Sequence, residues 1–500
     1  MSNVSYNRLE SEQEFSMKSI IVPLIAIIVG MFMVILDGTA MNVAMPGLIQ
    51  DFGRDISVVQ WTVTGYSLAQ SAVIPLAGWL SDRFGAKRIF LLSVVMFTLG
   101  SVLCALAATA EQLIVYRIIQ GLGGGMVAPI AMAFTYRLSP PGKVGAVMGM
   151  IGIPMLLAPA LGPVVAGWLV DYATWHWIFL INIPIGIIAV MIGLRTLPNI
   201  ERQTVPALDF LGMIFAPLAF AALAYGVSSA GGGEGGGQGG GWSSKEAIGG
   251  MTVGVIALAV FIIVELRRAN PLLELRVFRS GNFTRGIIVQ WIAQIALFGT
   301  LFLVPLFLQQ AKGFTAFTTG LIMLPQALSS GIFMPIGGRL YDRFGARPVV
   351  IAGLTIVTTA GVLLSTVSAT TSLIMIMLPL AMLGAGMGLS MMPLNTHIIQ
   401  SAPIHLVSRV TSLTAAAQQV MTSFAVAGLS TVLASRMEHY VQTGAQGPAL
   451  MYSSFGDTFL VMASIGVVGA VMGFLLRRPK RDGESGEGKA VAEAAMMAGH

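Results

Sequence analysis

The sequence predicts an all-α polytopic membrane protein: two six-helix bundles with two additional central helices, about fourteen spans. Three observations predict it. Of the 500 residues 55% are hydrophobic and 10% charged, with a mean hydropathy of +0.81, whereas a soluble globular chain carries about 25% charge. Apolar runs recur from end to end, each roughly 20 residues, long enough to cross a hydrocarbon slab of about 30 Å as a helix. They are too long and too uniformly apolar for barrel strands. The third observation is a repeat. Pro75-Leu-Ala-Gly78-Trp-Leu80-Ser-Asp82-Arg83-Phe84-Gly85-Ala86-Lys87 returns, 260 residues on, as Pro335-Ile-Gly-Gly338-Arg-Leu340-Tyr-Asp342-Arg343-Phe344-Gly345-Ala346-Arg347. A parallel repeat of this kind marks two homologous halves related by an axis along the membrane normal, as in many transporters.

In chain order, residues 1–18 form a polar N-terminal arm with no cleavable leader expected, because the first apolar run is too long for one. The N-terminal bundle occupies 19–197, with spans at 19–45, 57–80, 88–108, 111–136, 144–170 and 176–197. Segment 198–283 carries two spans, 209–228 and 247–266, that have no place in the repeat. Between them Gly231 to Gly241, interrupted only by Glu234 and Gln238, reads as a flexible outer linker, since no strand or helix start frames a phosphate cradle. After them Arg267, Arg268, Arg276, Arg279 and Arg285 make a basic connection. The C-terminal bundle occupies 284–478, with spans at 284–311, 317–340, 348–367, 371–398, 408–435 and 456–476, and 479–500 is a charged tail. The glycine run Gly384-Ala-Gly386-Met-Gly388 with Pro393 echoes Gly121-Leu-Gly123-Gly124-Gly125 with Pro129, which strengthens the repeat.

Charge reports topology. Only Arg54, Lys245, Lys312 and Arg436 fall opposite the termini and Arg117 falls within a span, so the other 23 of 28 basic residues share the terminal side. That side is predicted to be cytoplasmic. The net charge of +6 forms no single basic patch, so nucleic acid is not an expected partner. The lone Cys104 excludes a disulfide within the chain. No selectivity filter, metal-binding cluster or nucleophile constellation points to a channel, a metal site or an enzyme.

One charge stands out. Asp37 lies inside the apolar run from Ile20 to Ala44, and an acid at membrane depth marks an ion or solute path. Asp37 lies roughly 12 Å below the expected end of its helix near Met45, and Arg117 about 9 Å below the same surface, at 1.5 Å per residue. The depths agree, so the two are expected to pair. Arginine does not give up its proton, so Asp37 must be the member that changes protonation. Burial and the guanidinium act on it in opposite senses, which lets water access and solute decide uptake or release. A static ion pair is the alternative, although apolar residues would serve stability alone at lower cost. At an offset of 260 to 264 the matching positions are apolar, as at Leu297 and Ala381, and Glu265, Asp209 and Glu438 sit near span ends, where an interfacial place is expected. Proton coupling is therefore expected in the N-terminal half. His397 near a cytoplasmic end is not expected to relay protons.

Four segments carry a family resemblance. Gly78-Trp-Leu80-Ser81-Asp82-Arg83-Phe84-Gly85-Ala-Lys87-Arg88 resembles the loop motif of the major facilitator superfamily, and Leu113-Ile-Val-Tyr-Arg117-Ile-Ile-Gln120-Gly121-Leu-Gly123 resembles the fourth-span motif of its proton-coupled members. Gly152-Ile-Pro154-Met-Leu-Leu-Ala-Pro159-Ala-Leu-Gly162-Pro163-Val-Val-Ala-Gly167 resembles the fifth-span antiporter motif, with Ala166 where a second glycine is usual. Leu36-Asp37-Gly-Thr39-Ala-Met-Asn42-Val43-Ala44-Met-Pro46 resembles the first-span motif of the fourteen-span drug:proton antiporters, the EmrB/QacA-like branch. The resemblance implies the major facilitator fold and proton-driven export of amphipathic compounds by alternating access. Alternatives are an antiporter for tetracycline–metal complexes or monovalent cations, and an exporter of one endogenous metabolite.

Roles follow from residue chemistry. Asp82, with Arg83, Lys87 and Arg88 in a short loop turned at Gly85, is expected to latch the cytoplasmic face against a helix N-terminus or a base of the other half. Asp342 and Arg343 would do the same more weakly. The glycines and prolines of the fifth span suit close approach and bending. The expected solute cavity is lined by Asn42, Gln120, Gln290, Trp291, Gln294, Phe298, Gln326, Asn395, Gln418 and Met421, combining uncharged polarity with soft surface. The expected partners are small amphipathic drug-like solutes, protons and membrane lipid. No cofactor is called for, the proton gradient supplying the drive, and a monomer is expected.

Overall fold

Backbone polar groups cannot stay unpaired in hydrocarbon, so each long apolar run must close into a helix. A computed structural model describes residues 17–477 except 55, 60, 141, 200–209, 231–241, 269–272, 274, 404–405 and 445–446. The N-terminal arm to residue 16, the glycine-rich linker, Asp209 and the tail lie outside the described residues. The first bundle comprises α1 (Met17–Phe52), α2 (Trp61–Phe84), α3 (Ala86–Ala105), α4 (Ala110–Leu138), α5 (Val144–Tyr172) and α6 (His176–Thr196). The inserted pair is α7 (Phe210–Ala230) and α8 (Lys245–Arg267). The second bundle comprises α9 (Gly281–Gln310), α10 (Ala316–Phe344), α11 (Ala346–Ser365), α12 (Leu373–Gln400), α13 (Val407–Gln442) and α14 (Pro448–Gly473). Among the described residues eleven helices are long and apolar enough to cross a membrane.

The repeat is visible in how helices meet. Gly85 and Gly345 separate α2 from α3 and α10 from α11 at φ of 96° and 83°, a backbone region that glycine enters without a Cβ penalty. Each glycine run lets its helix touch two neighbours. A Cβ on Gly121 would lie 2.6 Å from the Tyr66 carbonyl oxygen of α2, and one on Gly123 2.6 Å from the Phe97 nitrogen of α3. Gly384 and Gly386 do the same against Gln326 of α10 and Gly353 of α11. The halves meet along two seams, α5 on α10 and α2 on α13.

The inserted pair is not peripheral to the repeat. α7 packs on α8 through Gly226, Gly250 and Gly254 and lies against both α2 and α13, so it covers one seam. Phe220 and Leu223 of α7 share a buried cluster with Ile74 and Trp79 of α2 and with Leu413 and Val420 of α13. On the face opposite the termini, Tyr225 stacks on Trp61 with ring centroids 6.2 Å apart, and Trp242 Nε1 donates to Thr431 Oγ1 at 2.7 Å.

One expectation needs correction. α1 does not end near Met45 but continues through Pro46 to Phe52, stopping at Gly53 with φ 57°. Its last turns are held by Asp51, which accepts from Trp175 Nε1 at 2.7 Å, and by Phe52 packed on the same indole. Glu265 lies in the last turn of α8, near the span end as expected, and is buried there, where the turn Leu275–Arg279 packs on α8 and Arg276 Nη2 donates to the Arg268 carbonyl at 2.6 Å. His397 lies in the last turn of α12, near the span end as expected, and is fully buried against α9 beside Gly286. Glu438 is exposed, as its place near a helix end suggested.

Candidate functional site

Asp37 and Arg117 meet inside the first bundle. Arg117 Nη1 donates to Asp37 Oδ2 at 2.6 Å, and neither side chain touches solvent. The second carboxylate oxygen receives Gln120 Nε2 at 3.1 Å and Asn182 Nδ2 at 2.8 Å. Ser101 Oγ ties both amides together, accepting from Gln120 at 3.0 Å and from Asn182 at 2.9 Å while donating to the Phe179 carbonyl at 3.2 Å. The guanidinium also binds Gln120 Oε1 at 2.7 Å and the Thr62 carbonyl at 3.2 Å, and its carbon lies 3.9 Å above the Tyr66 ring. A cation over an aromatic face compensates part of its lost hydration.

Sequence and packing explain this convergence. A Cβ on Gly100 would lie 2.7 Å from Gln120 Cα, so α3 can press on α4 closely enough for Ser101 to reach the amide. Asn182 lies six residues into α6 and Arg117 seven into α4, about 9 and 10 Å at 1.5 Å per residue. The depth argument that paired Asp37 with Arg117 would have found Asn182 too, had it been applied to every polar residue in a span. Gln120, expected in the solute cavity, belongs to this ion-pair network instead, because three residues along α4 from Arg117 is the same helix face.

Three donors hold a carboxylate sealed from water. Removing the cation alone leaves that acid uncompensated, at a cost of about 3–5 kcal/mol. Arg117→Ala is therefore expected to lower the Tm of the purified protein sharply, and Asp37→Asn in the same chain to restore part of it. Equal Tm values for wild type and Arg117→Ala would show that the pair contributes nothing to stability.

The second constellation lies where α2, α4, α5, α10 and α13 end or begin on the face carrying the termini. Asp342 accepts backbone N–H groups of Gly145 at 2.9 Å and Ala146 at 3.0 Å, capping the first turn of α5 across the α5–α10 seam. This satisfies otherwise orphaned donors and places negative charge at the positive end of a helix. The approach is close: a Cβ on Gly145 or on Gly338 would run into the other residue's carbonyl oxygen. At the α2–α13 seam Asp82 is buried, 3.2 Å from Arg137 Nη2 and 3.9 Å from Arg409 Nε. Arg137 also donates to Ser408 Oγ at 2.8 Å, and a Cβ on Gly78 would lie 2.5 Å from the Ser408 carbonyl oxygen.

The expected order of strength is reversed. Asp342 makes the two-bond contact between halves, whereas the nearest base to Asp82 comes from its own half. Arg83, Arg88 and Arg343 stand on the exposed surface instead of at a seam, and Lys87 reaches the Leu194 carbonyl of α6 at 2.8 Å. Arg137, Ser408 and Arg409 escaped the sequence reading, whereas Gly145 belongs to the fifth-span glycines expected to allow close approach. The only signal for the first three was a base in the last turn of α4, and small or basic residues opening α13.

Along α5, Gly152 meets Met334 of α10 and Gly162 meets Thr39 of α1, whereas Gly167 faces open space and supports no close approach. Asn42, Pro159 and Pro163 fall in helical backbone, but their side chains lie outside the described residues.

The amides of the second half converge in part. Asn395 Oδ1 accepts from Gln290 Nε2 and, at 3.1 Å, from Gln418 Nε2, while Gln294 Nε2 donates to Thr422 Oγ1 at 3.2 Å. Gln290 Oε1, Gln294 Oε1 and Asn395 Nδ2 are buried without a partner among the described residues. Such atoms cost free energy unless water or a ligand satisfies them. Four expected lining residues have other neighbours. Gln326 reaches Met387 Sδ at 3.7 Å, Phe298 packs on the main apolar core, and Met421, with Trp291, packs into the cluster that includes α7.

The arrangement can hold a proton in one half, bind uncharged polar groups in the other, and close one face between them. Comparisons agree with a carrier of this architecture. The chain is 36% identical over 422 residues to the uncharacterized MFS-type transporter YhcA of Bacillus subtilis, covering 84% of this chain and 78% of that one. It is 35% identical over 407 residues to the multidrug resistance protein B homolog of Mycobacterium tuberculosis, covering 81% and 74%. The solved proton:xylose symporter XylE superposes with a TM-score of 0.63 at 15% identity, covering 91% of this chain and 95% of that one, a likeness of fold alone. The profile of the Major Facilitator Superfamily matches residues 27–426, so this multi-pass chain belongs to that family of membrane transporters.

Proposed function

We propose that the protein exports amphipathic small molecules in exchange for protons by alternating access, with both termini in the cytoplasm. The observation that carries this reading is the sealed Asp37–Arg117 pair, an acid fixed by three donors inside an apolar helix. Three donors fill three of the roughly four acceptor sites of the carboxylate, and a proton added to it removes the charge that holds the Arg117 guanidinium, so proton uptake loosens α4 from α1. Solute binds the neutral amides Gln290, Gln294, Asn395 and Gln418 of the other half. Proton and solute exclude one another through the state of the carrier, since Asp37 contacts only its own bundle among the described residues. The mycobacterial relative's name supports drug-like solutes. Asp342 on the α5 N-terminus, with Arg137 joined to Ser408, holds the cytoplasmic face shut in the outward-open half of the cycle.

The test is ethidium efflux from cells expressing the wild type, with and without a protonophore. Efflux is expected to stop when the gradient is dissipated. Efflux that continues unchanged would refute proton drive, and exchange of Na⁺ in vesicles under the same conditions would favour a cation antiporter.

A further inference from the structure

A cavity of about 90 Å³ lies in the α2–α13 seam where α7 covers it. Its polar wall is unusual in one respect. Three of its hydroxyl groups spend their protons on their own helices: Ser71 Oγ donates to the Ser67 carbonyl at 3.0 Å, Thr422 Oγ1 to that of Gln418 at 3.0 Å, and Ser423 Oγ to that of Gln419 at 3.3 Å. Their oxygens are left with lone pairs, so toward a guest they act as acceptors. The rest of the wall combines the polar side chains of Thr64, Ser67 and Gln419 with Leu68, Ala224, Val426 and the Tyr225 ring, and no carboxylate is among the described residues that line it.

Next to this niche stands Gln294, 3% exposed, whose Nε2 binds Thr422 while its Oε1 has no partner among the described residues. That is one more acceptor in want of a donor. An anion would face the lone pairs of those three hydroxyl oxygens and of Gln294, and a quaternary ammonium would leave them unsatisfied. A protonated amine fits: its N–H groups match the hydroxyl oxygens, its charge is favoured by the aromatic ring, and its chain by the apolar wall.

We propose that the niche between α2, α7 and α13 is a binding site for the N–H-bearing head of an amphipathic primary amine, with α7 forming its outer wall. The niche adjoins Gln294 of the proposed solute site and so rests on that reading, but it is separate from Asp37. Its occupancy is read at equilibrium without any gradient, so it stands or falls apart from proton coupling.

The experiment compares dodecylamine with dodecyltrimethylammonium, equal in charge and tail but differing in N–H donors, for binding to the full chain in nanodiscs. Dodecylamine is expected to bind about tenfold more tightly, the worth of one hydrogen bond to a charged group. Ser71→Ala with Ser423→Ala should erase that preference, and Ala224→Leu should abolish binding by filling the space. A Thr64→Cys chain is the check that does not depend on losing a function. Dodecylamine should protect this thiol from a lipid-soluble maleimide and the quaternary analogue should not, with little background because Cys104 is fully buried. Equal affinity for the two compounds overturns the proposal, as does unprotected labelling at residue 64 or displacement of dodecylamine by excess Na⁺ but not choline.

Discussion

Asp37→Asn is expected to abolish uphill efflux while leaving a folded, solute-binding protein. The amide is the same size and keeps an oxygen for Asn182 or Gln120, so the packing of α1 on α4 and α6 survives. It cannot accept or release a proton, and it faces the Arg117 donors with an NH₂ group in place of an oxygen. One proton crossing 100 mV carries about 2.3 kcal/mol, which supports a roughly 50-fold solute ratio in a coupled carrier. The variant should collapse that ratio to unity in vesicles with an imposed gradient, while exchange of labelled for unlabelled dye at equal concentrations continues. A variant that still concentrates dye would remove Asp37 from the coupling path. A single deep acid also predicts poor transport of dications, and efficient dication export that survived Asp37→Asn would contradict it directly.

Gly338→Val is expected to have the second largest effect, and through sterics alone. The added side chain would enter the space of the Gly145 carbonyl, and the helices would have to part where Asp342 binds the Gly145 and Ala146 N–H groups. Overpacking of this kind costs about 1–3 kcal/mol, and borne by only one of two carrier states it shifts their ratio by about 5–150-fold. The variant should favour the state open to the cytoplasm, so a Ser412→Cys reporter at the α2–α13 seam should label faster from that side and efflux should fall in parallel. Asp342→Asn keeps the shape but weakens the charge on the α5 terminus, and its effect on the same reporter should be smaller. Unchanged labelling and transport in Gly338→Val would mean that α5 and α10 need not close during the cycle.

Much of this was legible in the residues. Hydropathy anticipated the long helices of both bundles, eleven of them among the described residues apolar enough to cross a membrane, because such helices depend on local runs of apolar side chains. The repeated Asp82 and Asp342 segments located both seams. Depth counting paired Asp37 with Arg117 even though α1 proved longer than expected, since the error lay beyond the acid.

The failures share a cause. Gln120 was assigned to the cavity and turned to the ion pair. Asp342 was ranked below Asp82 and makes the stronger bridge between halves. Gly167 was grouped with glycines that touch a neighbour and touches none. In each case residue type and depth were read correctly and the neighbour that the position faces was not.

Composition and spacing alone determined the spans, their order, the two-fold plan and the depth of the buried acid, because these follow from the transfer of each segment out of water. Only the tertiary structure decided that Ser101 and Asn182 complete the Asp37 network, that α7 covers the α2–α13 seam, and that Asp342 caps α5. A helix carries side chains on every side, and which of them become partners is settled by the neighbour against which each face packs.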